Sequence, residues 1–355
     1  MSYVEQDLKL NFDDVLLKPK RSTLTSRASV DLNRTITFRH SPKTFTGIPI
    51  MAANMDGVGT FAMAKVLQEF NCITVIKKHY TLDKWKEAIG HGVKLSHLAV
   101  CTGANMIHDP NAEDYDNIKK ILEQWPDINY ICLDVAIGYQ EAFSSFVAKV
   151  RKEYPDKVII AGNVITPEMT EQLIIRGADI VKCGIGPGSV CTTRTMTGVG
   201  YPQISRIMEC ADAAHGLKGQ IVADGGCRTP GDISKAYAAG ADFVMLGGML
   251  AGHQESELQL ANGVYEFYGM SSDRAMENHS IDKQHYKGSE GKVVYLPDRG
   301  SVQHTIEEIL GGVRSTCTYI GAEKLKDLPK CATFIQTRQV VNTVFNQYES
   351  PFVNE

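Results

Sequence analysis

Two stretches of the chain, "VIIAGNVITPEMTEQLIIRGADIVKCG" (158–184) and "IVADGGCRTPGDISKAYAAGADFVMLG" (221–247), align without a gap at an offset of 63 residues. Each reads as an apolar run, a Thr-Pro pair, a helical segment, a Gly-Ala-Asp stop and a second apolar run. Thr166 and Thr229 stand at N-cap positions, with Pro167 and Pro230 at the first helical position. Gly177 and Gly240 stand where a left-handed C-cap belongs. A duplicated strand–helix–strand unit restricts the chain to an α/β fold.

The same kind of apolar run recurs upstream. "IPIMAANM" (48–55), "CITVIKK" (72–78), "HLAVCTG" (97–103) and "NYICLD" (129–134) precede "KVIIAGN" (157–163), "DIVKCG" (179–184), "QIVADGG" (220–226) and "DFVMLGG" (242–248). Their length and β-branched content suit buried parallel strands. The clearest helix spans 139–154, where Phe143, Phe146, Val147, Val150 and Tyr154 recur at helical spacing. Eight strands alternating with helices predict a (β/α)8 TIM barrel whose duplicated units supply strands five to eight. A doubly wound sheet is the runner-up, but it has no need of eight strands.

No Pro/Ser-rich linker divides the 355 residues, so 1–355 reads as a single catalytic barrel domain. A stretch of about 40 residues after strand eight, roughly 249–291, lacks strong periodicity and reads as a flap over the barrel mouth. The tail from about 330 to 355 is expected to pack on a neighbour or fray. A net charge of −4 without a basic block argues against nucleic acid and anionic membranes as partners. The N-terminus lacks a signal-peptide core and no run reaches membrane-span length, which predicts a soluble, cytoplasmic chain. Nine scattered cysteines without a CxxC pair argue against a disulfide framework and a structural zinc site.

In barrels, chemistry gathers at the C-terminal ends of the strands. Asp134, Asn163, the loop "CGIGPGSVCTTR" (183–194), "DGG" at 224–226 and "GG" at 247–248 all fall there. Glycines at the ends of strands seven and eight let backbone amides approach a phosphate, although a tight turn alone also explains them. Cys72, Cys101, Cys132 and Cys183 lie inside strand runs and read as core. Cys191 lies beyond a strand end, next to Thr192, Thr193 and Arg194, whose cation would favour a thiolate. The residues alone leave nucleophile and small buried hydrophobe both open for Cys191. Glu290, between glycines in "GSEG", reads equally as a solvated side chain.

Taken together, "NFDDVLLKPK", "AGNVIT", "GIGPGSVCTTR", "ADGGCRTPGD", "FVMLGG", "FYGMSS", "SEGKVV" and "ILGGVRSTCTYIGA" resemble the IMP dehydrogenase/GMP reductase family over roughly residues 5 to 345. The resemblance is to the reductase branch. No repeat pair is inserted between "CITVIKKHY" and "TLDKWKEAI", and Arg274 is followed by Ala275 where a dehydrogenase flap carries an Arg-Tyr pair. Glu290 stands where the dehydrogenases have glutamine. A carboxylate accepts hydrogen bonds from the N1–H and 2-amino donors of guanine, which suits GMP.

The resemblance implies NADPH-dependent reductive deamination of GMP to IMP and ammonia, a step of purine metabolism, through a covalent Cys191–purine intermediate. It implies Thr193 as proton donor with Glu290 as its partner. GMP would meet Asp224, Gly225, Gly226, Gly247, Gly248, Gly269, Met270, Ser271 and the Lys287, Gly288, Ser289, Gly291 stretch. The cofactor would meet Ser26, Arg27, Lys78, Asp134, Val135, Ala136, Ile185, Gly186, Met270, Tyr286, Lys287, Ser315, Thr316, Cys317 and Thr318, some of them across a homotetramer interface. A potassium-like monovalent cation would lie among Gly186, Gly188, Cys191 and Arg194.

Ile137, Lys77 and Lys287 depart from the family pattern, which has asparagine, histidine and arginine there. The competing functions are an NAD-dependent IMP dehydrogenase, a non-catalytic purine-nucleotide-binding barrel and a flavin-dependent barrel oxidoreductase.

Overall fold

The structure is a computed structural model that describes residues 3–104, 113–279 and 288–337. Eight parallel strands close into a barrel: β1 (Ile50–Ala52), β2 (Ile73–Val75), β3 (Leu98–Thr102), β4 (Tyr130–Asp134), β5 (Val158–Val164), β6 (Ile180–Cys183), β7 (Gln220–Asp224) and β8 (Phe243–Leu246). Every run read from the sequence supplies one strand, in chain order. β8 pairs with β1, which closes the ring.

Helices α1 (Phe61–Leu67), α2 (Leu82–Gly90), α3 (Glu113–Gln124), α4 (Glu141–Glu153), α5 (Pro167–Ile175), α6 (Gln203–Gly216), α7 (Pro230–Ala238) and α8 (Val302–Ile320) follow the strands in turn. Burial explains the alternation. The strands are apolar on both faces, so one face fills the barrel and the other needs a helix. α4 buries Phe143, Phe146, Val147 and Val150, the face expected from their spacing.

The duplicated units behave alike, with informative differences. Thr229 caps α7 by accepting a hydrogen bond from Asp232 N. Thr166 holds the same place, but its hydroxyl accepts from the Tyr139 phenol instead. Gly177 and Gly240 both take positive φ, as a left-handed cap requires. The Gly-Ala-Asp aspartates have matching tasks: Asp179 accepts from Ile159 N and Asp242 from Ile221 N, each at 3.0 Å. Those two bonds span 20 and 21 residues, and β5 carries a register shift between Gly162 and Val164.

The described part of the stretch 249–291, residues 249–279 and 288–291, is more regular than its sequence suggests. Leu260–Ala261 and Val264–Tyr268 form an antiparallel sheet with Val293–Pro297, beyond the expected end of the flap. A short helix, Asp273–Asn278, follows. Strands this short, exposed on one side, carry too few apolar residues to register as periodicity. Val15–Leu17 pairs with Phe334–Gln336, so the N-terminal segment ties down the start of the tail. Residues 338–355 of that tail lie outside the described residues.

Candidate active site

β6 ends at Cys183, which is fully buried, and the chain then crosses the barrel mouth. Cys191 forms an antiparallel bridge with Gly291. Thr192 N donates to Glu290 O at 2.9 Å, and Lys292 N to Val190 O at 2.9 Å. On its other side Glu290 N donates to Ser271 O at 3.2 Å. The segment after the flap is thus laced to the cysteine loop by main-chain bonds.

This lacing brings three side chains together. Thr193 Oγ1 donates to Glu290 Oε2 at 2.6 Å, and Cys191 Sγ lies 3.2 Å from Thr193 Oγ1. A threonine hydroxyl has one proton. With that proton on Glu290, the Cys191 thiol must be the donor in the second bond. The arrangement is a directed chain from the Cys191 S–H through the Thr193 O–H to the Glu290 carboxylate. Thr193 is buried at the start of the short helix Thr193–Thr197, while Cys191 is half-buried and reachable. One Glu290 oxygen is engaged by Thr193, so the carboxylate is not wholly free to read a guanine edge.

Arg194 does not serve the thiolate. Its Nη2 donates to Tyr201 O at 2.5 Å, and its stem fills the gap left by two glycines. A Cβ added at Gly186 or Gly200 would stand 2.6 or 2.8 Å from Arg194 Cγ. The loop uses Arg194 as a brace between the two glycines and the Tyr201 carbonyl.

The glycine pairs after β7 and β8 close on the same loop. Gly225 and Gly226 have φ of +80° and +87°, and a Cβ on Gly225 would lie 3.1 Å from Pro187 Cγ. The Gly225 N–H faces the Met245 carbonyl of β8 through the strand register, while the Gly226 N–H has no acceptor among the described residues and is a donor for an anion. A Cβ on Gly248 would stand 2.5 Å from Ser189 Oγ. Ser189 was not singled out from the sequence, where it looks like one more small loop residue. Gly247 abuts Met55, and Gly269 abuts Val190 and Gly291. Gly288 lies near Met196, and Ser289 Oγ donates to Gly291 O.

Below the mouth runs a charged network. Lys182, 2% exposed, contacts Asp134 Oδ1 at 2.5 Å and Asp224 Oδ2 at 3.5 Å. Asn163 donates to Asp224 and Asn54 to Asp134, each at 2.8 Å. Burial opposes the lysine's charge, but Asp134 and then Asp224 outweigh it and hold the ammonium well above its ordinary pKa. Sequence reasoning missed Lys182 and Asn54; a lysine inside an apolar strand run was the available signal.

Asp134 leads into an exposed turn at Ala136 and Ile137. Val135 exchanges main-chain bonds with Gly162 and Asn163. Lys78 pairs with Asp114 at 2.7 Å at this same end. Lys77, the departure from the family histidine, lies 3.7 Å from Asp56 and over the Tyr80 ring. Asp56 also accepts from Tyr268 and pairs with His279 at 2.6 Å, and its N–H meets the Met270 sulfur. His79 stacks on His279 with ring centroids 3.5 Å apart. Asp56 is thus the hub that ties the base of the flap to the barrel mouth.

Ser26, Arg27 and Ser315–Thr318 stand apart from this site. They lie on the outer flank, where Ser26 caps its own turn, Thr316 bonds Ser234, and Cys317 is buried. Among the described residues none of them contacts the cysteine loop or the flap. Tyr286 and Lys287 lie outside the described residues. For the cation, the Gly186 and Cys191 carbonyls accept no hydrogen bond among the described residues, and the Gly188 carbonyl accepts one from Cys191 N. The Arg194 carbonyl likewise accepts one, from Gly198 N, so each of the four oxygens keeps a lone pair that a monovalent ion could take.

Residues 9–343 match the model of the IMP dehydrogenase / GMP reductase domain. The chain is 56% identical over 352 residues to "GMP reductase 2" of Homo sapiens, covering 98% of this chain and 99% of that protein. It is 55% identical over 350 residues to "GMP reductase" of Klebsiella pneumoniae, covering 97% and 99%. "GMP reductase 1" of Homo sapiens is 56% identical over 351 residues. With its closed barrel, its cysteine loop and this full-length similarity, the chain belongs to the IMP dehydrogenase / GMP reductase family.

Proposed function

We propose that this chain is a GMP reductase, converting GMP to IMP and ammonia in purine metabolism. The observation that carries this reading is the Cys191–Thr193–Glu290 chain. Cys191 attacks C2 of the purine, and its proton passes through Thr193 towards Glu290. The C2–N bond then breaks, and the same proton leaves on the ammonia. Atoms balance: a thiol and a C2-amino group become a C2–S bond and ammonia. A threonine hydroxyl is a poor acid alone, and the carboxylate at 2.6 Å makes it a relay.

NADPH, when bound, supplies the hydride that replaces the C2–S bond by C2–H. The chain's contribution on that side is binding. Lys78 would release Asp114 to meet a phosphate, and Asp134 to Ala136 would line the cofactor. Ile185, Gly186 and Met270 would border it, with Tyr286 and Lys287 closing from the flap. Ser26, Arg27 and Ser315–Thr318 would act on the cofactor of a second copy, which is why a homotetramer belongs to the reading. Gly225, Gly226, Gly247 and Gly248 would hold the GMP phosphate, Asp224 the ribose, and Gly269–Ser271 with Gly288–Gly291 the base side. The carbonyls of Gly186, Gly188, Cys191 and Arg194 would hold potassium beside the nucleophile.

Among the described residues no helix is long and apolar enough to cross a membrane, which accords with a cytoplasmic enzyme. IMP dehydrogenase is disfavoured, because Arg274–Ala275 offers no Arg-Tyr pair and Glu290 takes the glutamine's place. The test is consumption of NADPH in the presence of GMP but not AMP. No consumption at high enzyme concentration, or reduction of NAD with IMP, overturns the assignment.

A further inference from the structure

Gln203 is the first residue of α6 and is 2% exposed, although nothing in the mechanism uses it. Its Nε2 lies 2.5 Å from Gly225 O and 3.4 Å from Asp224 O. Both neighbours are carbonyl oxygens, so the nitrogen end of the amide must face them. The side chain also lies flat on the turn: a Cβ on Gly226 would come within 3.1 Å of Gln203 Cγ.

A trans peptide points its C=O and N–H in opposite directions. The only cis peptide among the described residues is Gly162–Asn163, so the Gly225–Gly226 peptide is trans. Pinning the Gly225 oxygen towards α6 therefore aims the Gly226 N–H the other way, out of the helix layer. That N–H has no acceptor among the described residues. Both residues have positive φ, where glycine has no Cβ to restrict rotation, so the turn itself does little to choose this orientation. A side chain from a neighbouring element has to choose it.

Gln203 is itself held. Its N–H donates to Asn11 Oδ1 at 3.1 Å. Leu10 O accepts from Ile204 N and Ser205 N, and Ser205 Oγ accepts from Leu10 N. The N-terminal segment thus fixes the first turn of α6, and α6 fixes the glycine turn.

We propose that Gln203 is a positioning residue for phosphate recognition: by donating to the Gly225 carbonyl it orients the Gly226 N–H towards the phosphate of the bound nucleotide. This rests on the reading of the protein as a GMP-binding enzyme. Gln203 touches neither base nor ribose in that arrangement, and its contact with Asp224 is only the longer one to the main-chain oxygen, so its main effect falls on the phosphate.

Calorimetric titration of the wild type and Gln203→Met with GMP, and with guanosine, tests this. Methionine keeps the volume and removes the donor. The expected result is GMP binding weakened about tenfold, one hydrogen bond's worth, with guanosine binding changed less than about twofold. Inorganic phosphate should compete with GMP less well in the variant. Unchanged GMP affinity overturns the proposal. Equal weakening for GMP and guanosine also overturns it, because the residue then only maintains the fold. A wild type that binds neither nucleotide defeats the GMP reading itself, and the proposal falls with it.

Discussion

Thr193 Oγ1 stands 2.6 Å from Glu290 Oε2 although 97 residues separate them, and Cys191 Sγ stands 3.2 Å from the same hydroxyl. The bond exists because the segment after the flap lies antiparallel against the cysteine loop. On the proposed relay, proton movement at the site depends on this segment staying seated against the loop.

Breaking the relay should slow turnover without unfolding the barrel. Thr193→Val and Glu290→Gln are each expected to lower kcat for GMP by about 10²–10⁴-fold, the usual worth of a positioned acid–base group. The double variant should be little worse than either single one, since both interrupt one path. Steady-state rates and circular dichroism on the four proteins check this. A Glu290→Gln enzyme of near-normal rate contradicts the relay.

Gly248 gives a test of the phosphate side. Its Cβ position lies 2.5 Å from Ser189 Oγ, so Gly248→Ala forces Ser189 to rotate or the loop to shift. The expected outcome is a raised KM for GMP with a smaller change in kcat, and little change in Tm. A lost kcat at unchanged KM would instead mean that the loop shift reaches Cys191.

Lys182 is a buried cation between two carboxylates, and removing one member of such a set typically costs about 3–5 kcal/mol. Lys182→Met should show that loss in denaturant unfolding. It should also weaken GMP and NADPH binding together, because Asp224 and Asp134 are proposed to face different ligands. Lys182→Arg should recover part of both.

The flap base should loosen in acid. Burial, then the neighbouring His279 and Lys78, push His79 from its ordinary 6.5 down to about 4. A lowered folded-state pKa means that the stabilisation is complete above about 6.5 and is lost as pH falls from there towards 4. The groups facing this pair are Asp56, Lys77, Lys78 and Asp114. Hydrogen-exchange protection, corrected for the slower intrinsic exchange in acid, should fall between pH 6.5 and pH 4 more in residues 264–279 than in the barrel strands. His79→Phe, which cannot take up the proton, should flatten that dependence.

The barrel is legible in the sequence because parallel strands buried on both faces leave unbroken apolar runs, such as "KVIIAGN" and "DFVMLGG". Cys191 and the glycine pairs are legible because they follow those runs, where a barrel places chemistry. The Thr193–Glu290 contact is not, since no local pattern records a pairing across 97 residues. Arg194 misleads for a related reason. Adjacency in sequence suggests a partner for the thiol, while the side chain's path is set by the gaps at Gly186 and Gly200. Lys182 was hidden inside a strand, where only the two facing aspartates reveal its role. The flap sheet escaped because its three strands are short and half exposed.

The central claim is that Cys191 carries the purine covalently after ammonia has left. The direct measurement is incubation with GMP, oxidised NADP and isotopically labelled ammonia, with no reductant present. If the covalent step is reversible through Cys191, label enters the 2-amino group of GMP with the wild type and not with Cys191→Ala. Exchange that persists in Cys191→Ala, or GMP reduction by that variant at a wild-type rate, contradicts the account.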